Sequence, residues 1–176
     1  QVSTQSLTPL PSSTSSVGVN LDSRMSVPTT AVFSATDSTS YNSTTALTLY
    51  DSLGNSHIAT TYFVKNATVN TWDVHMTVDG LGLDGTPATA TNTLLGTSPT
   101  LTFNTTGALI TPATGVVTIP GIVYATASTT PQPLTINFLS STQFGAAFAV
   151  NKLTQNGYTS GQLSGFNTSA DGTIVG

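Results

Sequence analysis

Two histidines, His57 and His75, and seven aspartates without a single glutamate are the groups in this chain suited to acid-base work near neutral pH. A Ser-His-Asp nucleophile system needs a base within hydrogen-bond reach of the hydroxyl and a carboxylate that orients the base. Asp73 and His75 fall on one face of a strand-like run, but no Gly-x-Ser-x-Gly elbow accompanies them, and a solvated strand face is the favoured reading. His57 and His75 with Asp51 or Asp73 have the atom types of metal ligands, without the His-Glu-x-x-His or cysteine spacing that gathers ligands around zinc. The run Asp79-Gly80-Leu81-Gly82-Leu83-Asp84-Gly85 combines oxygen donors with a bendable backbone, as calcium loops do; it is not repeated, and an ordinary Asp-Gly turn accounts for it. Glycoside hydrolysis would need two of the seven aspartates, most of which stand beside Gly, Ser or Thr, where they cap turns. No catalytic residue, metal or cofactor is therefore expected, and the chain reads as non-enzymatic.

Sugar binding would call on aromatic faces. Trp72, Tyr41, Tyr50, Tyr62, Tyr124 and Tyr158 are the candidates for such a platform, but Trp72 alternates with Val74 and Met76 and reads as core. Four Asn-x-Ser/Thr sequons, at Asn42, Asn66, Asn104 and Asn167, are what chance supplies in a chain that is about a third Ser and Thr, and they imply no glycosylation.

Composition narrows the class further. Charged residues make up 6% of the 176 positions, with Arg24, Lys65 and Lys152 the only cations and a net charge of −4. Nucleic acid is not an expected partner, because phosphate binding needs clustered Lys and Arg. No apolar run approaches the roughly 20 residues of a membrane-spanning helix, so no membrane partner is expected either. The start lacks the basic-then-apolar pattern of a secretory signal. With no cysteine there are no disulfides, and 38% apolar content argues for a folded core rather than disorder. Both ends read as cut from a longer chain: there is no initiating Met, and Asp171-Gly172 turns into an apolar run that stops at once.

The elements that position these groups read as strands. Residues 1–16, with Pro9 and Pro11, form an irregular leading segment. Val17, Val19 and Leu21 alternate as a half-buried strand, and 27–33 is an edge candidate interrupted by Pro28. Residues 44–50, with Leu47 and Leu49 on one face, turn through Ser52-Leu53-Gly54-Asn55 into 57–65, where Ile58, Tyr62 and Val64 lie together. A second turn at 66–70 leads into 71–78, where Trp72, Val74, Met76 and Val78 share a face and Thr71, Asp73, His75 and Thr77 the other. Residues 79–100 lack periodicity and read as a long surface loop or crossover. Short strands follow at 101–103, 108–110, 116–119, 122–124 and 134–139; 143–152 suits a short helix or another strand. The expected fold is all-β, an antiparallel β-sandwich or barrel of many short strands with long loops. The whole chain is expected to be a single β-domain, its core about 14–157, with 1–13 and 158–176 as flanking segments.

Particular runs resemble those of bacterial flagellar hook proteins. Tyr50-Asp51-Ser52-Leu53-Gly54-Asn55-Ser56-His57, then Tyr62-Phe63-Val64-Lys65 and Asn70-Thr71-Trp72, are similar to one stretch of that family. Ser141-Thr142-Gln143-Phe144-Gly145, Gln155-Asn156-Gly157-Tyr158-Thr159-Ser160-Gly161 and Asp171-Gly172-Thr173-Ile174-Val175-Gly176 follow in the family's order. The resemblance is strongest at 44–73 and 141–176 and weakest through 79–133. It implies an outer β-domain whose flanking segments lead toward an inner domain, with the family's terminal helices outside this sequence. It further implies a structural role: copies of the subunit, exported through the flagellar type III apparatus, form an extracellular tube that transmits motor torque to the filament as a universal joint. Other copies of the same protein are the expected partners in the assembled tube, and the chain without the helices is expected to be monomeric. A carbohydrate-binding or adhesin-type β module is the alternative. The residues carrying the resemblance are expected to be structural: Tyr50, Asp51, Gly54, Asn55, His57, Tyr62, Phe63, Trp72, Phe144, Gly157, Tyr158, Gly161, Asp171 and Gly172.

Overall fold

A computed structural model describes residues 7–96, 100–126, 131–161, 167–168 and 174–175. The described residues contain strands and no helix: β1 (Thr14–Asp22), β2 (Ser43–Tyr50), β3 (Ser56–Lys65), β4 (Thr71–Val78), β5 (Thr100–Phe103), β6 (Leu109–Thr111), β7 (Val116–Ile122), β8 (Gln132–Asn137), β9 (Thr142–Phe144), β10 (Ala149–Gln155), β11 (Asn167–Thr168) and β12 (Ile174–Val175). One sheet runs β10-β1-β8-β7, with β9 also on β1; the other is the meander β2-β3-β4-β5-β6; β11 and β12 pair antiparallel as a small separate sheet.

The two large sheets share one apolar core. Val17, Val19 and Leu21 of β1, Val117, Ile119 and Ile122 of β7 and Leu134 and Ile136 of β8 belong to the same cluster as Leu49, Ala59, Phe63, Trp72, Val74, Met76, Leu101 and Phe103 of the meander. Alternation at a period of two sends one side of each strand inward, and two such faces stacked make a sandwich. Most pairings are antiparallel, as expected for a meander. The exceptions lie on β1, which pairs β10 antiparallel but β8 and β9 in parallel, because the chain crosses between sheets before returning to it.

Several local expectations are corrected. Residues 27–33 form no strand; 23–42 is an excursion of turns that returns at Asn42, whose N–H donates to Phe63 O. The 116–119 run and Ile122 join in β7, while Val123 and Tyr124 lie in no strand; the register of β7 slips between Ile119 and Ile122 around Pro120, since proline cannot donate to the ladder. The 143–152 region is strand, divided between β9 and β10.

The inward face of β3 is the reverse of the hydrophobic reading. Leu47 and Leu49 pair with Ala59 and His57, so Ala59, Thr61 and Phe63 line the core while Ile58 lies on the outer face, 59% exposed. Pairing register outranks the apolarity of one side chain, because slipping by one residue would also expose Phe63. On β4 the alternation holds, with Trp72, Val74, Met76 and Val78 all buried in the core. Its other face is not solvated: Thr71, His75 and Thr77 are buried as well. There, Phe33 from the 23–42 excursion stacks on His75, and 93–95 of the following loop hydrogen-bonds along β4.

Candidate functional site

The resemblance-bearing residues gather at two opposite ends of the sandwich. The first end is a neck. Leu7 pairs antiparallel with Gly161 and Leu10 with Tyr158, so the incoming and outgoing segments run side by side. Ser12, fully buried, ties this ladder to the meander: its N–H donates to Tyr50 O at 2.9 Å, and its hydroxyl accepts from Tyr50 N at 2.9 Å while donating to Gln155 Oε1 at 2.7 Å. Gly157 N–H donates to the same Gln155 oxygen. Gln132 Nε2 donates to the carbonyls of both Ser12 and Tyr50 at 3.0 Å.

Beyond Tyr50 the β2–β3 hairpin closes around Asp51, whose side chain is wholly buried. Its carboxylate accepts from Leu53 N, Asn55 N and Asn55 Nδ2 at 2.9 Å and from Thr126 Oγ1 at 2.7 Å. His57 Nε2 lies 3.4 Å from it. Burial opposes ionisation of Asp51, but the hydrogen bonds from Asn55, Thr126 and His57 outweigh it and hold the carboxyl well below the usual range. Gly54 turns the hairpin at φ +84°, a region that costs other residues a clash of Cβ with backbone, and its α-carbon lies against Pro9 of the neck.

His57 stands between two carboxylates, with Nδ1 2.6 Å from Asp79 Oδ2 and Nε2 facing Asp51. Asp79 Oδ1 accepts from Ile58 N at 2.8 Å, and the Tyr124 ring packs 4.3 Å from the imidazole. Burial, with the Asp51 and Asp79 charges nearby, pushes the Tyr124 hydroxyl up to about 12. An Asp-His-Asp row is acid-base chemistry in composition only. A general base needs a nitrogen free to face a substrate, and both nitrogens of His57 face carboxylates of the hairpin frame.

The second end lies at the start of β4. Trp72 Nε1 donates to Gln143 Oε1 at 2.7 Å, and Gln143 Nε2 donates to Asn70 Oδ1 at 2.9 Å. Phe144 N donates to Asn20 Oδ1 and Phe144 O accepts from Ser23 N, while its ring stays half-exposed. Lys65 Nζ sits 5.0 Å over the Trp72 ring and donates to Ser23 O; burial lowers its pKa. Phe63 lies deep between the ends, edge-on to Phe138, and Tyr62 is buried on the outer face beside Phe33 and Tyr41. Asp171 and Gly172 lie outside the described residues.

The other candidate chemistries disperse. Asp73 accepts from Asn66 Nδ2 at 2.8 Å, whereas His75 Nδ1 meets Thr93 Oγ1 at 3.0 Å, so the two do not form a relay. Asp79 serves His57, and Asp84 serves Thr86 and Asn92, leaving the glycine-rich run with its carboxylates committed apart. Among the described residues no group of three or more His or Asp is placed to hold a metal ion. Trp72, Tyr62 and Tyr124 are buried and present no sugar-stacking face. The sequons at Asn66 and Asn104 are turns in which the Asn side chain accepts the N–H two residues on. An open groove of about 650 Å³ is lined by Leu83, Leu94, Ile119, Pro120, Val123 and Pro131, and in it Asp84 and Asn92 bond each other. Sequence reasoning missed Ser12, Asp79, Thr126 and Gln132 as partners of the signature residues. Thr126 stands 75 residues from Asp51, and no spacing rule reaches that far.

With this geometry in view, the family model and the curated relatives agree on one family. The model of the flagellar basal body protein FlaE D2 domain matches residues 20–158. The flagellar hook protein FlgE of Escherichia coli (strain K12) is 34% identical over 164 residues, covering 93% of this chain and 38% of that protein. FlgE of Salmonella typhimurium is 37% identical over the same shares. A 32 kDa fragment of FlgE from Caulobacter crescentus aligns over 66% of this chain and 46% of its own, at 18% identity and a TM-score of 0.47. The chain thus spans 38% of the length of the curated relatives it matches.

Proposed function

Because the chain belongs to the FlaE D2 domain family of flagellar hook proteins, we propose that it is an outer, non-catalytic domain of the hook subunit, making sliding contacts with other copies of that subunit. In this reading the subunits leave the cell through the flagellar type III apparatus, and the extracellular tube they build carries motor torque to the filament as a universal joint. The observation that carries the proposal is the neck. Leu7 with Gly161 and Leu10 with Tyr158 bring the two ends of the domain side by side, which suits a domain inserted into a longer chain.

Residues 1–13 and 158–176 then lead toward an inner domain. The signature residues serve to close the domain, with Asp51, Asn55 and His57 bracing the hairpin on which the neck rests. Few charges and many short hydroxyl side chains suit contacts that shift register, since ion pairs and large anchors would favour one position. Without the rest of the subunit the chain is a monomer, and light scattering that returned a stable oligomer would contradict this.

The deciding experiment restores the parent hook gene, with or without residues 17–157, to cells lacking it. Hook assembly and swimming are expected only with the segment present. Working hooks and normal swimming from the deleted gene would overturn the proposal.

A further inference from the structure

Residues 24–41 leave the end of β1 and come back to the start of β2 as a flap over the outer face of the meander. Among the described residues, the backbone hydrogen bonds of this stretch are local: Met25 N to Asp22 O, Thr30 N to Thr39 O, Asp37 N to Ser34 O and Ser40 N to Asp37 O. The flap's own turns hold its shape, but no backbone ladder fastens it to β3 or β4. Apart from Asn42, whose side-chain amide donates to Ser26 O and accepts from Lys65 N, what seats it is aromatic. Phe33, 6% exposed, stacks on His75 with ring centroids 4.0 Å apart and planes 13° from parallel, and meets Tyr62 edge-on at 5.1 Å; Tyr41 meets Tyr62 at 5.0 Å.

The protonation state of His75 follows from its neighbour. Thr93 Oγ1 donates its hydrogen to Thr89 O at 2.6 Å, so toward His75 Nδ1 it can only accept, and Nδ1 carries the imidazole hydrogen. A second proton would go to Nε2 and place a full charge beneath Phe33. The charged or titratable groups on the surrounding elements are Arg24, Asp37 and Tyr41 of the flap, His57, Tyr62 and Lys65 of β3, Asp73 of β4 and Asp79 and Asp84 of the 79–96 loop. The four carboxylates are committed elsewhere, Asp37 to Thr39, Asp73 to Asn66, Asp79 to His57 and Asp84 to Thr86, and among the described residues none forms an ion pair with His75.

We propose that the flap is an acid-sensitive latch: neutral His75 lets Phe33 seat, and protonation of His75 releases residues 24–41 and bares the aromatic face of β3 and β4. Burial holds the His75 imidazolium down to about 4. The stacking attraction of a cation for the Phe33 face is too small to reverse that desolvation. A group whose pKa is depressed in the closed state stabilises closure fully above its ordinary value near 6.5, and that stabilisation is lost as pH falls toward 4. With an ordinary value in the open state, the opening equilibrium rises roughly 30-fold between pH 7.5 and 5.

Amide hydrogen exchange at pH 7.5 and 5, corrected for the intrinsic exchange rate at each pH, reads this directly. Protection in 24–41 should fall by roughly 30-fold at pH 5 while Phe63 and Val74 in the core keep theirs. His75→Gln, whose amide can still donate to Thr93 but does not titrate, should remove the pH step. Phe33→Ala should leave the flap open at both pH values. Flap protection that is independent of pH, core amides that open in parallel, or a step that survives His75→Gln would each overturn the latch. Should the Gln variant not fold, an NMR titration of His75 in the unaltered chain decides: a midpoint well below 6.5 supports the latch, and an unshifted one refutes it.

Discussion

At the neck the β2–β3 hairpin is closed by an ionised carboxylate, Asp51, whereas at the far end the start of β4 is closed by the neutral amides of Gln143 and Asn70 acting on Trp72. Each end answers the same requirement, that polar groups buried where strands terminate find partners. The solutions differ in reach. Asp51 collects most of its donors from its own turn and one distant donor from Thr126, so most of its bonds need only the hairpin itself. Trp72 and Gln143 stand 71 residues apart on different sheets, and their bond exists only once the sandwich has closed. A charged acceptor makes stronger bonds and brings pH dependence; an amide pair brings neither.

Removing each end's central residue is the severest way to break the comparison. Trp72→Ala, which empties a fully buried aromatic site and strands Gln143, should cost about 4 kcal/mol in denaturant unfolding followed by circular dichroism. Asp51→Ala leaves buried donors of Asn55 and Thr126 without their acceptor and should cost about 3 kcal/mol. The pH dependence separates the ends more sharply than these magnitudes. The Asp51 carboxyl is held below its ordinary value, so its stabilisation is complete above the unfolded value of about 3.9 and lost as pH falls below it. The gap between the unaltered chain and Asp51→Asn should therefore narrow in acid; a gap that held constant from pH 7 to pH 3 would refute this account of the neck. Gln143→Ala should cost about 2 kcal/mol, by leaving the Trp72 indole N–H unpaired, with no such narrowing.

The smallest contrast compares two turn glycines at positive φ. A Cβ at Gly107, φ +82°, would lie 2.6 Å from the backbone oxygen of Gln143, while one at Gly54, φ +84°, would lie 2.8 Å from the Pro9 ring. Alanine should cost about 2 kcal/mol at Gly107 and about 1 kcal/mol at Gly54, because the neck strand can yield where a sheet carbonyl cannot. Equal losses in thermal unfolding would show the neck to be as rigid as the sheet.

Much of this architecture was legible in the chain. Trp72, Val74, Met76 and Val78 announce an inward face by strict alternation, and Asp51 through Asn55 announce a turn by residue type, since both signals are local. The outward fate of Ile58 was not legible, because the face of β3 follows from its register against Leu47 and Leu49. Nor was the burial of His75, which depends on Phe33 arriving from 42 residues upstream through a stretch that carries no periodicity. At the neck, Asp51 and His57 stood out as resemblance-bearing residues, but Ser12, Asp79, Thr126 and Gln132, which complete their bonding, are ordinary polar residues in a chain rich in them.

By itself, then, the sequence determined that the chain is all-β, low in charge and akin to hook proteins, because alternation, turn chemistry and ordered motifs are properties of neighbouring residues. Only the tertiary structure decided which strands run parallel, which polar groups become partners and which histidine is sealed under a flap. Those outcomes depend on segments far apart in sequence competing for the same buried space, and the free energy that selects among them appears only when the two sheets meet.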